Sequence, residues 1–186
     1  MIGFALCGSF CTVKSALEQL KLIVNSGYSV QPIVSETVYK TDTRFQSAEY
    51  TFNALQALTG RDPIHTITQA EPLGPEISLD ALVICPCTGN TLAKLAGGIT
   101  DTAVTMAAKA HLRSDRPLLI ALASNDAMSA NLRNIATLLM RKNVYFVPMR
   151  QDDPEKKPHS LVADFSLLPD ALQAALNGKQ LRKLFI

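Results

Sequence analysis

The sequence predicts a doubly wound α/β fold of the Rossmann-like type, in which helices cover both faces of a parallel sheet to give three layers. Two observations support this prediction. Apolar runs alternate with segments of helical periodicity along almost the whole chain. The apolar runs are continuous rather than alternating in polarity, which is typical of strands that are covered on both faces. With 186 residues, the chain is long enough for one domain with its own core, and we predict a single domain over residues 1–186.

The first βαβ unit occupies the start of the chain. Residues 2–7 form an apolar run that ends at Gly8 and predicts a strand. Residues 12–25 carry apolar side chains at helical spacing, and Gly27 follows as a typical helix-terminating residue. A second strand is predicted over residues 29–35. This close succession of strand, helix and strand favours a parallel sheet.

The middle of the chain is less regular. Residues 48–58 predict a helix closed by Gly60, and residues 65–68 predict a short strand. Two prolines within residues 71–75 predict a loop, because proline restricts the backbone on both sides of a turn. This region therefore leads from the first βαβ unit to the next strand.

A second group of elements follows this loop. Residues 81–85 predict a strand that Pro86 ends, and residues 88–96 predict a helix. A further helix is predicted over residues 101–112, with Asp101 as its N-cap. Strand and helix thus alternate here as they do at the start of the chain.

The last third continues this alternation. We predict a strand over 118–123, a helix over 127–141 and a strand over 144–147. A charged, proline-containing surface loop is predicted over 150–163, and a C-terminal helix and tail over 164–186.

Composition limits the possible partners. The net charge is +2 and no long basic run occurs, so the sequence predicts neither a nucleic-acid nor a membrane partner. No apolar stretch approaches the ~20 residues of a membrane span, and the first residues lack the basic lead of a signal peptide. We therefore expect a cytoplasmic protein. Charged residues make up only 18%, which suggests that other subunits cover part of the surface in a homo-oligomer.

The four cysteines occur in two pairs near predicted strand ends, Cys7 with Cys11 and Cys85 with Cys87. Neither spacing is that of a usual zinc site, and we predict no metal centre. Small, buried, reduced thiols are the favoured interpretation. The alternative is that the following helix N-terminus stabilises a reactive Cys87 thiolate.

Polar residues follow the first two predicted strands. After the first strand, Gly8 permits close backbone approach, while Ser9 and Thr12 offer hydroxyl groups at a helix N-terminus. Such a terminus suits a phosphate, although a simple helix cap is the alternative. Ser35 ends the second strand, where its hydroxyl could reach the same phosphate or could cap a helix.

Polar residues also follow two later strands. Thr88 can cap the next helix, Gly89 removes bulk, and Asn90 supplies a donor and an acceptor for a planar ring with amide-like edges. Asn125 follows the strand after that. The carboxyl ends of parallel strands meet at one edge of a sheet, so these groups predict one small-molecule site.

Two motifs resemble those of the flavoprotein family of FMN-dependent cysteine decarboxylases. Residues 86–101, PCTGNTLAKLAGGITD, resemble the family motif P-A-S-A-N-T-x-A-K-x-A-x-G-I-A-D. Residues 124–128, SNDAM, resemble the segment P-A-M-N-x-x-M, with Asn125 and Met128 matched. The resemblance extends from Ile2 to about Met149.

This resemblance implies that FMN is the cofactor. Its phosphate would lie at Gly8, Ser9 and the Ser35 loop, and its ring system near Thr88, Asn90 and Asn125. It also implies trimers or larger homo-oligomers with sites at subunit interfaces. The complete set of candidate cofactor-binding residues is Gly8, Ser9, Thr12, Ser35, Thr88, Asn90, Thr91 and Asn125.

One branch of the family is especially similar over residues 8–12 and 86–91. Members of this branch act as one subunit of a two-subunit oxidoreductase in sporulation. The resemblance implies a nicotinamide-dependent A subunit as partner, with NADP bound there, and a small dicarboxylate substrate that is oxidised to an aromatic ring. A flavin could accept the hydride. Alternatively, basic side chains could pair with the substrate carboxylates, and the candidates are Lys14, Lys40, Arg44 and Lys94.

Two other functions remain open at this point: an FMN-dependent decarboxylase, and a non-catalytic ligand-binding or scaffold subunit. The decarboxylases place a catalytic histidine in the helix after the second strand, but residues 41–58 contain none. His65 and His159 lie outside that helix, and His111 is expected at the surface of a later one. The catalytic residues are therefore not identified by the sequence.

Overall fold

Five parallel strands form the centre of the molecule in the computed structural model, which describes residues 1–186. They run side by side in the order β2, β1, β3, β4, β5. Every residue of β1, β3 and β4 is buried, as the continuous apolar runs predicted. The ranges are β1 Ile2–Leu6, β2 Val30–Val34, β3 Ala81–Cys87, β4 Leu118–Ser124 and β5 Val144–Phe146.

Eight helices cover both faces of the sheet, which confirms the predicted doubly wound fold class. One buried cluster includes Leu92, Val104 and Ile135 of α5, α6 and α7, and the other includes Leu20 and Leu172 of α1 and α8. The helices are α1 Val13–Asn25, α2 Glu36–Lys40, α3 Ala48–Thr59, α4 Ile67–Ala70, α5 Gly89–Gly97, α6 Ala103–Leu112, α7 Leu132–Leu139 and α8 Leu168–Leu176. Single 3-10 turns over Phe10–Thr12 and Phe165–Leu167 precede α1 and α8. None of the helices has the length and apolar character needed to cross a membrane.

A short antiparallel extension is attached to the carboxyl end of β4, past the residues that pair with β5. Strand β7, Leu161–Ala163, pairs antiparallel with the end of β4, and β6, Met149–Arg150, pairs with β7. The loop predicted over 150–163 is therefore wrong at its two ends. These two strands are defined by pairing between distant residues, β7 with the end of β4 and β6 with β7.

The strand predicted over residues 65–68 is also wrong. Thr66 and Gln69 form a capping box, in which each side chain accepts from the other residue's backbone N–H, and this starts α4. Only the preceding residue, Ile64, forms a single parallel bridge, with Ile33 of β2. The local cap therefore determines the structure of this segment.

Two helices begin later than predicted. The N-cap of α6 is Thr102, which forms a capping box with Thr105, whereas Asp101 pairs with Lys94 at 2.9 Å. Helix α7 starts at Leu132 rather than at residue 127, because residues 126–131 fold into a hydrogen-bonded turn. A side-chain capping box thus sets the start of α6, whereas backbone hydrogen bonds of the preceding turn set the start of α7.

Strand β3 does not end at Pro86 but continues through it to Cys87. Its pairing with β4 shifts in register between Ile84 and Cys87. Proline is tolerated where the ladder is interrupted in this way, because no N–H is needed there. The Pro86 carbonyl accepts the Cys7 N–H at 3.1 Å and keeps β3 attached to the end of β1.

Candidate functional site

A cleft of about 520 Å³ opens where β1, β3 and β4 end. Its walls come from residues 8–11 after β1, residues 88–90 after β3 and residues 123–126 at the end of β4. A further wall comes from Arg44 and Phe45, in the turn between α2 and α3. The structure thus brings five of the eight candidate residues to one cleft: Gly8, Ser9, Thr88, Asn90 and Asn125.

The wall after β1 is a tight turn. Thr12 donates its hydroxyl to the Ser9 carbonyl at 2.8 Å and to Ser9 Oγ at 3.1 Å. Thr12 therefore supports the turn and does not line the cleft, while the Ser9 hydroxyl keeps its own hydrogen for donation. A Cβ at Gly8 would lie 3.1 Å from Thr37 Cγ2, so glycine allows this turn to pack closely against α2.

The wall after β3 is the N-terminus of α5. Thr88 caps this helix by accepting the Thr91 N–H at 3.2 Å. The buried Thr91 hydroxyl donates to Cys7 Sγ at 3.3 Å, so it joins α5 to the end of β1 and does not line the cleft. Asn90 is exposed on the cleft, and its amide has no hydrogen-bond partner within the chain.

The wall after β4 contains a fixed carboxylate. Asp126 accepts a short hydrogen bond from the Ser124 hydroxyl and accepts from Asn131 Nδ2 at 3.0 Å on each oxygen. The Ser124 hydrogen bond lowers the pKa of Asp126, which is therefore ionised at neutral pH. Asn125 is exposed on the same wall, and its amide is unpaired. The polar Ser124–Asp126 segment was noticed in the sequence, but its link to Asn131 was not.

Gly89 allows the last two walls to meet. A Cβ at this position would lie 2.5 Å from Ser124 Oγ and 2.7 Å from Asn131 Nδ2. Any larger side chain would push the N-terminus of α5 away from the Asp126 network. The small residue in the motif therefore has a packing role at the floor of the cleft.

Ser35 lies apart from the cleft wall. It is the N-cap of α2 and accepts the Val38 N–H at 3.4 Å. Ser35 is therefore a helix cap, which was the alternative interpretation of this residue, while the Thr12 and Thr91 hydroxyls bond to Ser9 and to Cys7. Gly8, Ser9, Thr88, Asn90 and Asn125 remain as the candidate residues that a ligand in the cleft can touch directly.

The four basic candidates have different surroundings. Lys40 and Lys94 are each paired with a carboxylate, at 2.8 and 2.9 Å. Lys14 lines a neighbouring groove on the other side of Phe45. Arg44 alone of the four lines the cleft, with its guanidinium 4.9 Å from the centre of the Phe45 ring. Phe45 was missed in the sequence, because an isolated aromatic residue in a loop carries no periodic signal.

Burial separates the four thiols. Cys7, Cys85 and Cys87 are buried, whereas Cys11 is exposed and lines the cleft. Burial raises the pKa of Cys7 to about 11 and raises those of Cys85 and Cys87 well above the ordinary value. The alternative of a reactive Cys87 thiolate is therefore wrong. No group of three or more His, Cys, Asp or Glu side chains is arranged to hold a metal ion.

None of the three histidines lines the cleft. The His65 ring stacks on Tyr39 at 4.0 Å in a separate hollow, and α3 contains no histidine. His111 is fully buried, with Nε2 2.9 Å from the Pro117 carbonyl, so the expected surface position is wrong. Burial lowers the pKa of His111. The carbonyl of His159 accepts the backbone N–H of residue 128 at 2.9 Å, and this bond attaches the 150–160 segment to the turn before α7.

Comparison with known proteins shows similarity over the whole chain. The family model described as Flavoprotein matches residues 1–166. The dipicolinate synthase B subunit of Bacillus subtilis (strain 168) is 43% identical over 185 residues, which is 100% of this chain and 92% of that protein. The crystal structure of the dipicolinate synthase B subunit from Bacillus halodurans C matches with a TM-score of 0.92 and 41% identity, over 100% of this chain and 95% of that one.

A more distant likeness concerns the fold alone. The FMN-dependent cysteine decarboxylase SpaF matches with a TM-score of 0.70 at 23% identity, over 94% of this chain and 95% of that one. The sheet order and the helices around the cleft are therefore shared well beyond the range of strong sequence similarity.

Proposed function

The chain belongs to the flavoprotein family, and on this premise we propose that it binds FMN and works as the B subunit of a dipicolinate synthase. Together with a nicotinamide-dependent A subunit that binds NADP, it would oxidise dihydrodipicolinate to dipicolinate during sporulation. The observation that carries this proposal is the cleft, which gathers the exposed polar ends of β1, β3 and β4 in a chain similar over its full length to two such subunits.

The donor set of the cleft fits a flavin nucleotide. Its volume of about 520 Å³ is within the usual range for cofactor sites. Gly8 would offer its backbone N–H to the phosphate and Ser9 its hydroxyl, whereas the Ser9 N–H already donates to the Cys7 carbonyl at 2.8 Å. The unpaired amides of Asn90 and Asn125 would bind the edges of the ring system, which carry both donors and acceptors.

The chemistry of the oxidation can be divided between cofactor and chain. Bound FMN would supply an acceptor for the hydride. The chain would bind and orient the reactants through the polar side chains that line the cleft. Asp126 is the one carboxylate in the cleft, and its oxygens can accept a further N–H hydrogen bond from a ligand.

The other functions considered have less support. An FMN-dependent decarboxylase of the same family is less supported, because α3 lacks the histidine that the family's decarboxylases place in the helix after the second strand. A non-catalytic binding or scaffold subunit differs from the proposed one only in its effect on turnover. Homo-oligomer formation is part of the proposal, since exposed apolar side chains such as Tyr50 and Met140 offer surface for other copies.

The cofactor proposal is tested by flavin titration. We expect yellow purified protein, FMN release on denaturation, and weaker FMN binding in Asn90→Ala, because the variant loses polar contacts to the ring. One hydrogen bond is worth about 0.5–1.5 kcal/mol, so the Kd should rise roughly 2- to 12-fold. Asn53→Ala is the matched control, since Asn53 is exposed on α3 and has no hydrogen-bond partner. Colourless protein that fails to take up added FMN would rule out the flavin site.

The role in catalysis is tested by reconstitution. Dipicolinate formation should be measured with the A subunit alone and with both subunits. The proposal expects turnover to depend on this chain and on its bound FMN. Undiminished activity of the A subunit alone would remove the catalytic role and favour a scaffold.

A further inference from the structure

We propose that Arg44 binds one carboxylate of the substrate and gives the cleft its preference for a pyridine carboxylate over an uncharged analogue. This inference rests on the proposed function, which supplies a pyridine-type dicarboxylate as the substrate. It assigns the specificity to a residue outside both family-like motifs, in the turn between α2 and α3.

The turn that carries Arg44 is closed at its base by hydrogen bonds of Thr43. The Thr43 hydroxyl accepts the N–H groups of Phe45 at 3.2 Å and Gln46 at 3.3 Å, and it donates to the Gln46 carbonyl at 3.0 Å. The Thr43 N–H donates to the same carbonyl at 3.1 Å. Arg44 and Phe45 are therefore presented at the tip of an ordered turn, where both line the cleft.

Arg44 is the one cationic group of the cleft and has no carboxylate partner within the chain. The other charged residue of the cleft is the ionised Asp126. A substrate carboxylate thus meets a single positive charge in the cleft. Only Arg44 can neutralise that carboxylate. Leaving a carboxylate unpaired in a cleft filled by a flavin would be costly.

The chemistry of the guanidinium favours a carboxylate as its ligand. Its planar fork can donate two parallel hydrogen bonds to a carboxylate, and stacking on the Phe45 ring favours one orientation of that plane. The proposed cofactor phosphate would have neutral donors in the Gly8 N–H and the Ser9 hydroxyl, so it would not require Arg44. Lys40 and Lys94 are held by acidic residues, and Lys14 lies beyond Phe45.

Arg44→Gln and Lys14→Gln form a matched pair for the test, since each removes one positive charge beside Phe45. With FMN-loaded protein, the Kd values of dipicolinate and of its uncharged diamide are measured by calorimetry. We expect Arg44→Gln to weaken dipicolinate binding at least about tenfold, the size of a lost charge-assisted hydrogen bond, and to bring the two Kd values together. Lys14→Gln should keep the wild-type preference, and Arg44→Lys should retain part of it.

The outcomes separate this inference from the proposed function. Unchanged dipicolinate affinity in Arg44→Gln, with dipicolinate still preferred, would overturn the role of Arg44 and leave the proposed function intact. A loss of FMN affinity in this variant without a loss of riboflavin affinity would assign Arg44 to the phosphate and also overturn the inference. If wild-type protein binds FMN but not dipicolinate, the proposed substrate fails, and the inference fails with it.

Discussion

Side chains of one type have different chemistry here because their burial differs. Cys11 lies exposed at the cleft, whereas Cys7, Cys85 and Cys87 are enclosed at the ends of β1 and β3. The buried thiols have raised pKa values, so their reactive thiolate forms are scarce at neutral pH. Only Cys11 combines a thiol with solvent access.

This difference predicts the pattern of thiol labelling. In native protein at neutral pH, we expect an aromatic disulfide reagent to modify one thiol quickly, and four after unfolding in guanidinium. Cys11→Ser should abolish the rapid phase, because the other thiols are both inaccessible and protonated. Saturating FMN should slow the labelling of Cys11, since this residue lines the proposed cofactor cleft. Release of the thiolate chromophore gives the count and the rate.

A second thiol that reacts at the rate of Cys11 would contradict the burial of the β1 and β3 ends. Labelling of Cys11 that is unaffected by bound FMN would instead contradict the position of the cofactor. The two parts of the prediction can therefore fail separately.

The sequence predicted the surroundings of some individual residues correctly and those of others wrongly. Glycine at position 89 was correctly recognised as a place where bulk is excluded, because it belongs to a motif at a strand end. His111 was placed wrongly at the surface, because its burial depends on a carbonyl six residues later, at Pro117, and on the loop around Gly74. A Cβ at Gly74 would overlap the Ala110 carbonyl oxygen, which shows how closely this loop covers α6.

At the scale of elements, local hydrogen bonds decide where helices begin. The sequence offered Asp101 as the N-cap of α6, but the structure assigns this role to Thr102, which exchanges hydrogen bonds with Thr105. Two adjacent residues can both serve as caps by type, and only the backbone path selects between them. The exposed Asp101 pairs instead with Lys94, between α5 and α6.

The N-cap of α6 can be tested by comparing the stabilities of variants at its two candidate residues, Asp101 and Thr102. We expect Thr102→Ala to lower the free energy of unfolding by about 1 kcal/mol, because it removes the side-chain acceptor of the capping box. Asp101→Ala should have a smaller effect, since it removes only an exposed ion pair. Urea unfolding of both variants measures the difference, with Thr100→Ala as the control, because that side chain makes no hydrogen bond. A larger loss for Asp101→Ala than for Thr102→Ala would restore the sequence-based assignment.

Strands β1, β3, β4 and the short β5 were predictable from the sequence, whereas β6 and β7 were not. The strands β1, β3 and β4 each leave a continuous apolar run in the sequence, and their sheet order follows the usual rules for parallel βαβ units. The strands β6 and β7 exist because they pair with each other and with the end of β4. Pairing between distant residues leaves no local periodicity, so the sequence predicted a loop instead.

At the scale of the whole molecule, the cleft follows from topology. Parallel strands end at one edge of the sheet, and this alone predicted that Gly8, Thr88 and Asn125 would meet. The turn that carries Arg44 and Phe45 belongs to no strand end, and therefore its position over the cleft could not be predicted. The strand ends that form the site could thus be predicted from the sequence. The position of the Arg44–Phe45 turn was seen only in the structure.

Because the cleft is built from residues far apart in the chain, it exists only in the folded state, and FMN should stabilise that state. At 100 times its Kd, FMN adds about 2.7 kcal/mol to the free energy of unfolding, which raises the melting temperature by roughly 5–10 °C in a chain of this length. Riboflavin at the same concentration should give a smaller shift, because it lacks the phosphate that the Gly8–Ser9 turn would hold. Differential scanning fluorimetry, read by a dye that does not overlap flavin emission, measures both shifts. Equal shifts for the two ligands would contradict the phosphate site, and the absence of any shift with FMN would contradict a preformed cofactor cleft.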